Sequence, residues 1–374
     1  MEQSTGVYIS YPFCAQKCTY CNFASGVFPA SLESEYQKAL HSEIATYQWI
    51  AQPGGAVLIV DTVYLGGGTP SQMDPASLAS LLEAIPNRPW SEATLETAPG
   101  TVTEEKCSAW MDAGINRISL GVQSFVQREL ARTGRKHTAD VVLRDVAMLR
   151  NAGIANINID LIAGLPGQTL VSWAESLAWI ERLAIPHVSI YMLEVDEDSR
   201  LGQEVLLNGK RFGAPDVAGD DEIAAMYESA VERLGRLGIH RYEISNFARP
   251  GFESLHNLKY WRLEPYVGFG ADAHSFDGVQ RAQNVESADE YVARWKSGQH
   301  PQVGSVSAQK SEEKFFVGLR LSEGVHPHPD EWQRWNEPIE RFVASGLLES
   351  DGGRLRLTDR GVLLSNEVFA EFVS

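Results

Sequence analysis

Short apolar runs with strand character alternate with amphipathic helical segments through residue 238. The runs that predict strands cover residues 7–10, 62–65, 94–97, 117–122, 156–162 and 187–191. Helical spacing of apolar side chains predicts helices over residues 31–50, 140–151 and 170–183, and a further helix through Ile223 and Leu237. An alternation of this kind predicts an α/β fold, with a parallel sheet covered by crossover helices.

The six strand–helix units predict a partial (β/α)6, TIM-like barrel. Polar motifs fall at the C-terminal ends of these strands, and that edge carries the active site in barrel enzymes. A doubly wound sheet would show the same alternation and is the second hypothesis, because the sequence does not reveal whether a sheet closes. Residues 198–220 are rich in glycine and predict a loop.

The last part of the chain has a different pattern. Helical spacing covers residues 309–321 and 331–345, and a hairpin follows with its tight turn at Asp351–Gly353. A further helix begins at Thr358, so this part predicts a C-terminal α+β, winged-helix-like domain that packs on the core or forms a lid. We divide the chain into a core at 1–238, an extension packed on the barrel at 239–300 and this domain at 301–374.

Composition and charge narrow the class of protein. The 374 residues are 44% hydrophobic, and their net charge of -17 disfavours attraction to nucleic acid or anionic membranes. We find no apolar run of transmembrane length and no secretory signal pattern. Four cysteines in a chain of this length do not suit a disulfide framework, which is typical of short secreted proteins. We expect a cytoplasmic protein with no nucleic-acid partner and no transmembrane segment.

The densest chemical signal is a loop of three cysteines after the first predicted strand. Cys14, Cys18 and Cys21 follow the spacing C-x3-C-x2-C, and Cys107 lies far away in a predicted helix. Structural zinc usually takes four ligands in paired sets, and the sequence has no second pair. Thiolates also ligate iron–sulfur clusters, in which four cysteines close every iron of a cube. Three cysteines would leave one iron of a [4Fe–4S] cluster open to a small molecule.

Three further motifs accompany this loop. With Gly66–Pro70 (GGGTP), residues 117–125 (RISLGVQSF) and residues 158–169 (NIDLIAGLPGQT), the chain resembles the radical SAM superfamily, and within it the oxygen-independent coproporphyrinogen III oxidase-like group. The resemblance implies a [4Fe–4S] cluster on the three cysteines and S-adenosyl-L-methionine (SAM) on its open iron. It also implies a reductant protein, such as a flavodoxin or ferredoxin, whose electron splits SAM into methionine and a 5'-deoxyadenosyl radical.

The resemblance also assigns residues to SAM. Gly67, Gly68 and Thr69 would offer their backbone to the amino group, because glycines let a ligand approach closely. The side chains expected to bind the rest of SAM are those of Tyr8, Tyr20, Glu96, Gln123, Arg135 and Asp160. The two carboxylates would hold the ribose or adjacent polar atoms, and the guanidinium would meet the carboxylate. The tyrosines would pack on adenine or the cluster, although either could equally belong to the core. Glu96 stands in ETAP, where the family usually has Asn or Asp at the position of Ala98.

A second constellation lies in the extension. Residues 256–261 (HNLKYW) and 268–274 (GFGADAH) resemble the heme chaperone, HemW-type, branch of the same group. This resemblance implies that His256 and His274 ligate heme iron or contact porphyrin, and that the chaperone passes heme to target proteins. From the residues alone, hydrogen bonding of these histidines within a packed core is an equally good explanation.

Two functions therefore compete. One is a heme chaperone, and the other is a coproporphyrinogen III oxidase, which converts two propionates to vinyl groups in porphyrin biosynthesis. Oxidases of this group carry a long extension before the cysteine motif and a further cysteine two positions after the third. Here thirteen residues precede Cys14, and Phe23 occupies that later position. Both features, together with HNLKYW, favour the chaperone, and whether the chain is also an enzyme stays open.

Overall fold

The computed structural model describes residues 3–49 and 58–373, and it begins with alternating strands and helices. The strands of this first part are β1 (Gln3–Tyr11), β2 (Leu58–Gly67), β3 (Glu92–Thr97), β4 (Arg117–Gln123), β5 (Asn156–Ala163) and β6 (His187–Met192). The helices are α1 (Ala30–Thr46), α2 (Pro75–Glu83), α3 (Glu104–Asp112), α4 (Gln127–Arg132), α5 (Ala139–Asn151) and α6 (Leu170–Arg182). The helix predicted over 31–50 ends at Thr46, and residue 50 lies outside the described residues.

Further helices and strands follow in the middle of the chain. The helices are α7 (Arg200–Leu206), α8 (Asp220–Arg236), α9 (Leu255–Trp261) and α10 (Ala288–Lys296). The strands are β7 (His240–Arg241), β8 (Asn246–Ala248), β9 (Tyr266–Phe269), β10 (His274–Phe276), β11 (Gln280–Asn284) and β12 (Gln302–Ser307). Helix α7 lies inside the segment predicted as a loop, where the Ser199 hydroxyl accepts a hydrogen bond from the Gly202 amide and caps a short helix.

Within the described residues the main sheet has twelve strands, in the order β12-β11-β10-β9-β1-β2-β3-β4-β5-β6-β8-β7. Strands β1 to β6 are parallel and follow the order of the chain without a reversal. A doubly wound sheet reverses its order at a switch point, so this alternative is excluded. The end strands β12 and β7 do not pair with each other, and the predicted partial barrel is confirmed.

The alternation of side chains along β1–β6 explains the barrel. One face is apolar and packs beneath the helices, with buried side chains that include Val7, Ile9, Val63, Leu65, Ile118, Leu120, Ile157, Ile159, Val188 and Ile190. The opposite face is polar, and its side chains contact one another across strands, as Tyr64 contacts Glu96 and Ser119 contacts Asp160. Because successive side chains of a strand point to opposite faces, the polar set lines the inside of the barrel.

Helix α9 closes the base of this interior. The carboxylate of Glu92, the first residue of β3, accepts hydrogen bonds from the backbone amides of Leu255 (2.9 Å) and His256 (3.0 Å) and from the Ser254 hydroxyl (3.1 Å). A carboxylate at a helix N-terminus satisfies otherwise unpaired amides and complements the helix dipole. Since the chain enters β3 at Glu92, α9 lies at the edge opposite the cysteine loop.

The C-terminal part combines helices and a hairpin. Its elements are α11 (Lys310–Phe316), α12 (Pro329–Arg334), α13 (Asn336–Ala344), β13 (Leu348–Asp351), β14 (Arg354–Leu357), α14 (Asp359–Leu363) and α15 (Ser365–Ala370). The long helix predicted over 331–345 is two helices, because Trp335 leaves helical geometry (φ -104°, ψ 19°). The hairpin and the winged-helix-like arrangement agree with the prediction. Across the two described ranges, the structure contains no helix with the length and apolarity that a membrane span requires.

Candidate functional site

The cysteine loop and the glycine motif meet at the C-terminal edge of β1 and β2. The Gly68 amide donates to the Tyr11 carbonyl (2.8 Å) and the Thr69 amide donates to the Phe13 carbonyl (2.9 Å). A Cβ atom on Gly68 would lie 2.7 Å from the Phe13 carbonyl oxygen, so only glycine fits this approach. The structure therefore joins two motifs that are more than fifty residues apart in the sequence.

The three thiols of the loop are free and half-buried. The Thr69 hydroxyl donates to Cys14 Sγ (3.6 Å), and the Ser25 hydroxyl lies 3.8 Å from Cys21 Sγ. Burial raises the pKa of the Cys14 thiol, and the neighbouring Cys18 and Cys21 raise it further. A bound metal deprotonates thiols outright, so a cationic cluster would supply the stabilisation that the free thiolate lacks.

The spacing of these thiols matters for what they could hold. In residues 3–49 and 58–373, no three His, Cys, Asp or Glu side chains converge as a single metal ion would require. A four-iron cube binds each thiolate at a different iron and therefore separates its ligands more widely than one ion does. Three free thiols on one loop, with Thr69 and Ser25 beside them, fit a cube that leaves one iron open.

Glu96 connects the glycine motif to the barrel interior. Its carboxylate accepts hydrogen bonds from the Gly67 amide (3.1 Å) and the Tyr64 hydroxyl (2.9 Å). Gly67 has a φ of +103°, a conformation that favours glycine and directs its amide to this carboxylate. Burial, together with the smaller effect of the Asp160 charge, raises the pKa of Glu96 to about 7. Glu96 is thus a half-buried carboxyl group that changes charge near neutral pH.

Asp160 stands two strands away in a polar network. It accepts hydrogen bonds from Asn158 Nδ2 (2.7 Å) and the Ser119 hydroxyl (3.2 Å), and Asn158 also contacts the Ser189 hydroxyl (3.0 Å). Burial raises the pKa of Asp160 despite these donors. Two carboxyl groups, Glu96 and Asp160, therefore face the same interior and repel each other when both are ionised.

Arg135 and Gln123 lie on the other side of the site. The Arg135 guanidinium donates to the Tyr20 hydroxyl from Nε (3.3 Å) and Nη2 (3.1 Å), and from Nη1 to the Gly121 carbonyl (3.1 Å). These contacts tie the cysteine loop to β4 and use three of the five N–H donors of a guanidinium. Gln123 ends β4 at a bulge with a φ of +72°. Tyr20 and Gln123 are therefore next to the site, and two Arg135 donors are left for a ligand.

Tyr8 lies inside the barrel, directly opposite Tyr64 on the neighbouring strand. Its ring stacks on Tyr64 with a centroid distance of 6.2 Å. Burial raises the pKa of Tyr8, and the charges of Glu96 and Asp272 raise it further. The ring is half-buried even though it lies within the barrel, so it lines an open interior instead of filling a closed core.

The two histidines of the second constellation occupy different environments. His256 has no solvent exposure, and its Nδ1 contacts the Thr62 hydroxyl (3.0 Å) while its Nε2 contacts the Tyr260 hydroxyl (2.8 Å). Burial lowers the pKa of His256 to about 3, so the ring is neutral. His274 is exposed on β10. The structure thus presents one imidazole to solvent and uses both nitrogens of the other inside the fold.

Sequence reasoning missed part of this site. Tyr64, Ser119 and Asn158 line the interior between the predicted residues, and Asp272 approaches Tyr8 with a φ of +59°. The signal that could have identified the first three is their position, because each occupies a polar place on an otherwise apolar strand. Asp272 carried no such signal, since it lies in a loop.

Comparison with known proteins places the chain in a family. The family described as Radical SAM superfamily matches residues 8–180, and the HemN C-terminal domain matches residues 308–364. The protein named Heme chaperone HemW from Lactococcus lactis is 33% identical, over 100% of this chain and 98% of its own length. The Bacillus subtilis protein of the same name is 34% identical over 98% of both chains. The chain belongs to the HemW family of radical SAM proteins.

Relatives of this HemW-family chain extend beyond bacteria. The Danio rerio protein named Radical S-adenosyl methionine domain-containing protein 1, mitochondrial, is 31% identical over 96% of this chain and 83% of its own length. Among solved structures, coproporphyrinogen III oxidase (HemN) from Escherichia coli, titled a radical SAM enzyme, matches with a TM-score of 0.83 over 99% of this chain and 90% of that chain. At 20% identity this likeness shows that the chain shares its fold with that enzyme. Membership of the radical SAM family implies an iron–sulfur cluster and SAM.

Proposed function

We propose that this chain is a heme chaperone that holds a [4Fe–4S] cluster and SAM, binds heme and transfers it to target proteins. The observation that carries the proposal is the full-length similarity to proteins named Heme chaperone HemW, at 33% and 34% identity. The second candidate, a coproporphyrinogen III oxidase, rests on the fold that the chain shares with HemN. A shared fold supports many functions, so it is the weaker argument.

In this proposal Cys14, Cys18 and Cys21 hold the cluster, which when bound and reduced would supply an electron to SAM. The backbone of Gly67, Gly68 and Thr69 receives the SAM amino group. The side chains proposed to position the remainder of SAM are those of Tyr8, Tyr20, Glu96, Gln123, Arg135 and Asp160. Their grouping on neighbouring strands of the barrel supports this assignment, because Glu96, Arg135 and Asp160 are each held in place by hydrogen bonds.

Heme would contact the extension. Of the two candidate ligands, His274 offers an exposed imidazole, whereas His256 would first have to give up Thr62 and Tyr260. We therefore propose His274 as the ligand accessible in this conformation. The remaining partners in the proposal are heme-accepting proteins and a reductant protein such as a flavodoxin or ferredoxin. Free, half-buried thiols suit a reducing compartment such as the cytoplasm.

The cluster assignment is tested by a matched pair of cysteine variants. Cys18→Ala removes a proposed ligand, and Cys107→Ala removes a buried thiol of α3 that touches no part of the site. After anaerobic reconstitution we expect Cys18→Ala to lose cluster absorption and most of its iron. We expect Cys107→Ala to keep both. A full four-iron complement in Cys18→Ala would contradict the assignment.

Two measurements distinguish the two functions, one with the oxidase substrate and one with heme. Reconstituted protein with SAM and a strong reductant is incubated with coproporphyrinogen III, and mass spectrometry follows the loss of carbon dioxide. We expect no decarboxylation, and we expect saturable heme binding by absorption titration. Successive decarboxylations would identify an oxidase instead. We expect His274→Ala to weaken heme binding and the exposed control His300→Ala to leave it unchanged. Unchanged heme binding by His274→Ala would remove His274 as the ligand.

A further inference from the structure

We propose that Tyr64 and His256 are positioning residues that hold Glu96 in place for SAM, so that the HNLKYW helix supports the cofactor site from below. This inference rests on the proposed function, because it takes Glu96 as a SAM contact. It gives the buried imidazole of His256 a role that does not depend on heme. The contacts form a continuous column from the base of the barrel to the glycine motif.

The lower half of the column fixes the imidazole. Glu92 anchors the first turn of α9, and within that turn His256 is held at Nδ1 by Thr62 and at Nε2 by Tyr260. A Cβ atom on Gly6 of β1 would lie 3.0 Å from His256 Cε1. The ring is therefore restrained by hydrogen bonds at both nitrogens and by close packing at one edge, which leaves it a single orientation.

The upper half of the column connects the His256 ring to the Glu96 carboxylate. The Tyr64 ring stacks on His256, with a centroid distance of 5.4 Å and an interplanar angle of 29°. Its hydroxyl donates to Glu96 Oε1 (2.9 Å), and the Gly67 amide donates to Oε2 (3.1 Å). A Cβ atom on Gly66 would lie 3.0 Å from both Glu96 Oε1 and Tyr64 Cε1, so the backbone packs tightly against this contact.

The hydroxyl of Tyr64 also favours the charged form of Glu96. A carboxylate that binds ribose hydroxyls must be ionised to accept their hydrogen bonds well. Burial raises the pKa of Glu96 and so disfavours its ionised form. The hydrogen bonds from the Tyr64 hydroxyl and the Gly67 amide lower this pKa and favour the ionised form. The other titratable or charged groups that influence the pKa of Glu96, or whose own pKa Glu96 influences, are Asp160, Arg117, Tyr8, Tyr191 and Tyr260. Without the Tyr64 hydroxyl, the pKa of Glu96 rises and SAM loses its acceptor at neutral pH.

The test compares two losses of a buried hydroxyl. Tyr64→Phe keeps the ring that stacks on His256 and removes the donor to Glu96. Tyr227→Phe removes a buried hydroxyl of α8 that donates to the Ile244 carbonyl (2.5 Å) and belongs to no part of the column. SAM affinity of the cluster-loaded proteins is measured by calorimetry between pH 6 and 9. We expect Tyr64→Phe to bind SAM about tenfold more weakly at pH 7 and to regain affinity at higher pH.

Further variants separate this proposal from its alternatives. His256→Phe retains a ring but loses both nitrogen contacts, and we expect a weaker shift in the same direction. Glu96→Gln should remove the part of the pH dependence that Tyr64→Phe shifts. If Tyr64→Phe keeps the affinity and pH profile of the natural protein, or if Tyr227→Phe changes them as much, the inference is overturned. If the natural protein with an intact cluster binds no SAM, the SAM assignment of the proposed function fails instead.

Discussion

Single residues of this site carry consequences for pH dependence, and Glu96 is the clearest case. Its pKa in the folded protein is about 7, above the ordinary glutamate value, so the folded state retains a proton that the unfolded state has released. The stability from this group is present at pH 4 and is lost as the pH rises through 7. We expect Glu96→Gln to gain stability relative to the natural protein as the pH increases from 5 to 8. Urea unfolding at both pH values measures the difference, and equal differences would contradict the raised pKa.

The close approach of Gly68 to the cysteine loop leads to a second prediction. Gly68→Ala places a methyl group 2.7 Å from a backbone oxygen, which cannot move aside as a flexible side chain would. We expect a loss of about 1–3 kcal/mol in the free energy of unfolding, and a lower yield of reconstituted cluster. Gly235→Ala in α8 meets no atom within 4 Å and should be neutral or slightly stabilising. Equal stability of the two variants would contradict the close approach.

Many residues of the site could be predicted from the sequence because they lie in contiguous motifs. The cysteine spacing, GGGTP and the polar residues at strand ends identified positions that the fold brings together. Tyr64, Asn158 and Ser119 were not predicted as site residues because they lie inside strands. There the sequence does not reveal which face of the sheet turns inward. The environment of His256 could not be predicted because its hydrogen bonds to Thr62 and Tyr260 depend on tertiary packing.

At the scale of elements, Glu92 decides where α9 lies. Its carboxylate receives three donors from the start of that helix and pairs with the buried Arg117 at 3.8 Å. Loss of one member of a buried ion pair leaves an uncompensated charge, so we expect Glu92→Ala to cost about 3–5 kcal/mol in urea unfolding. The exposed Glu83→Ala is the control and should change stability by less than about 0.5 kcal/mol. A small effect of Glu92→Ala would argue against the anchoring of α9.

Element boundaries were predictable where periodicity is long and failed where it is short. The six parallel strands were found because each is a run of β-branched and aliphatic residues. Strands β7 and β8 have two and three residues, too few for any alternation to appear. Pairing of β8 with β6, and of β7 with β8, sets them in place. The break at Trp335 was missed because apolar spacing continues across it, while packing of Trp335 against Phe315 and Phe372 directs the turn.

For the whole molecule, the extension is part of the barrel. Strand β9 pairs in parallel with β1, and α9 fills the base of the interior. We therefore expect a chain that ends at residue 238 to lack the cooperative unfolding and near-ultraviolet circular dichroism of the full chain. Independent, cooperative folding of that fragment would show that residues 1–238 form an autonomous domain.

The pairing of β1 with β9 also has a consequence for synthesis on the ribosome. Residues 6–9 leave the ribosome early, yet their partners, residues 266–269, follow some 260 positions later. At bacterial rates of about 5–20 residues per second, β1 waits on the order of tens of seconds with one edge open. Nascent chains of this protein therefore expose a strand edge through most of translation, and ribosome-associated folding factors would meet it at that edge.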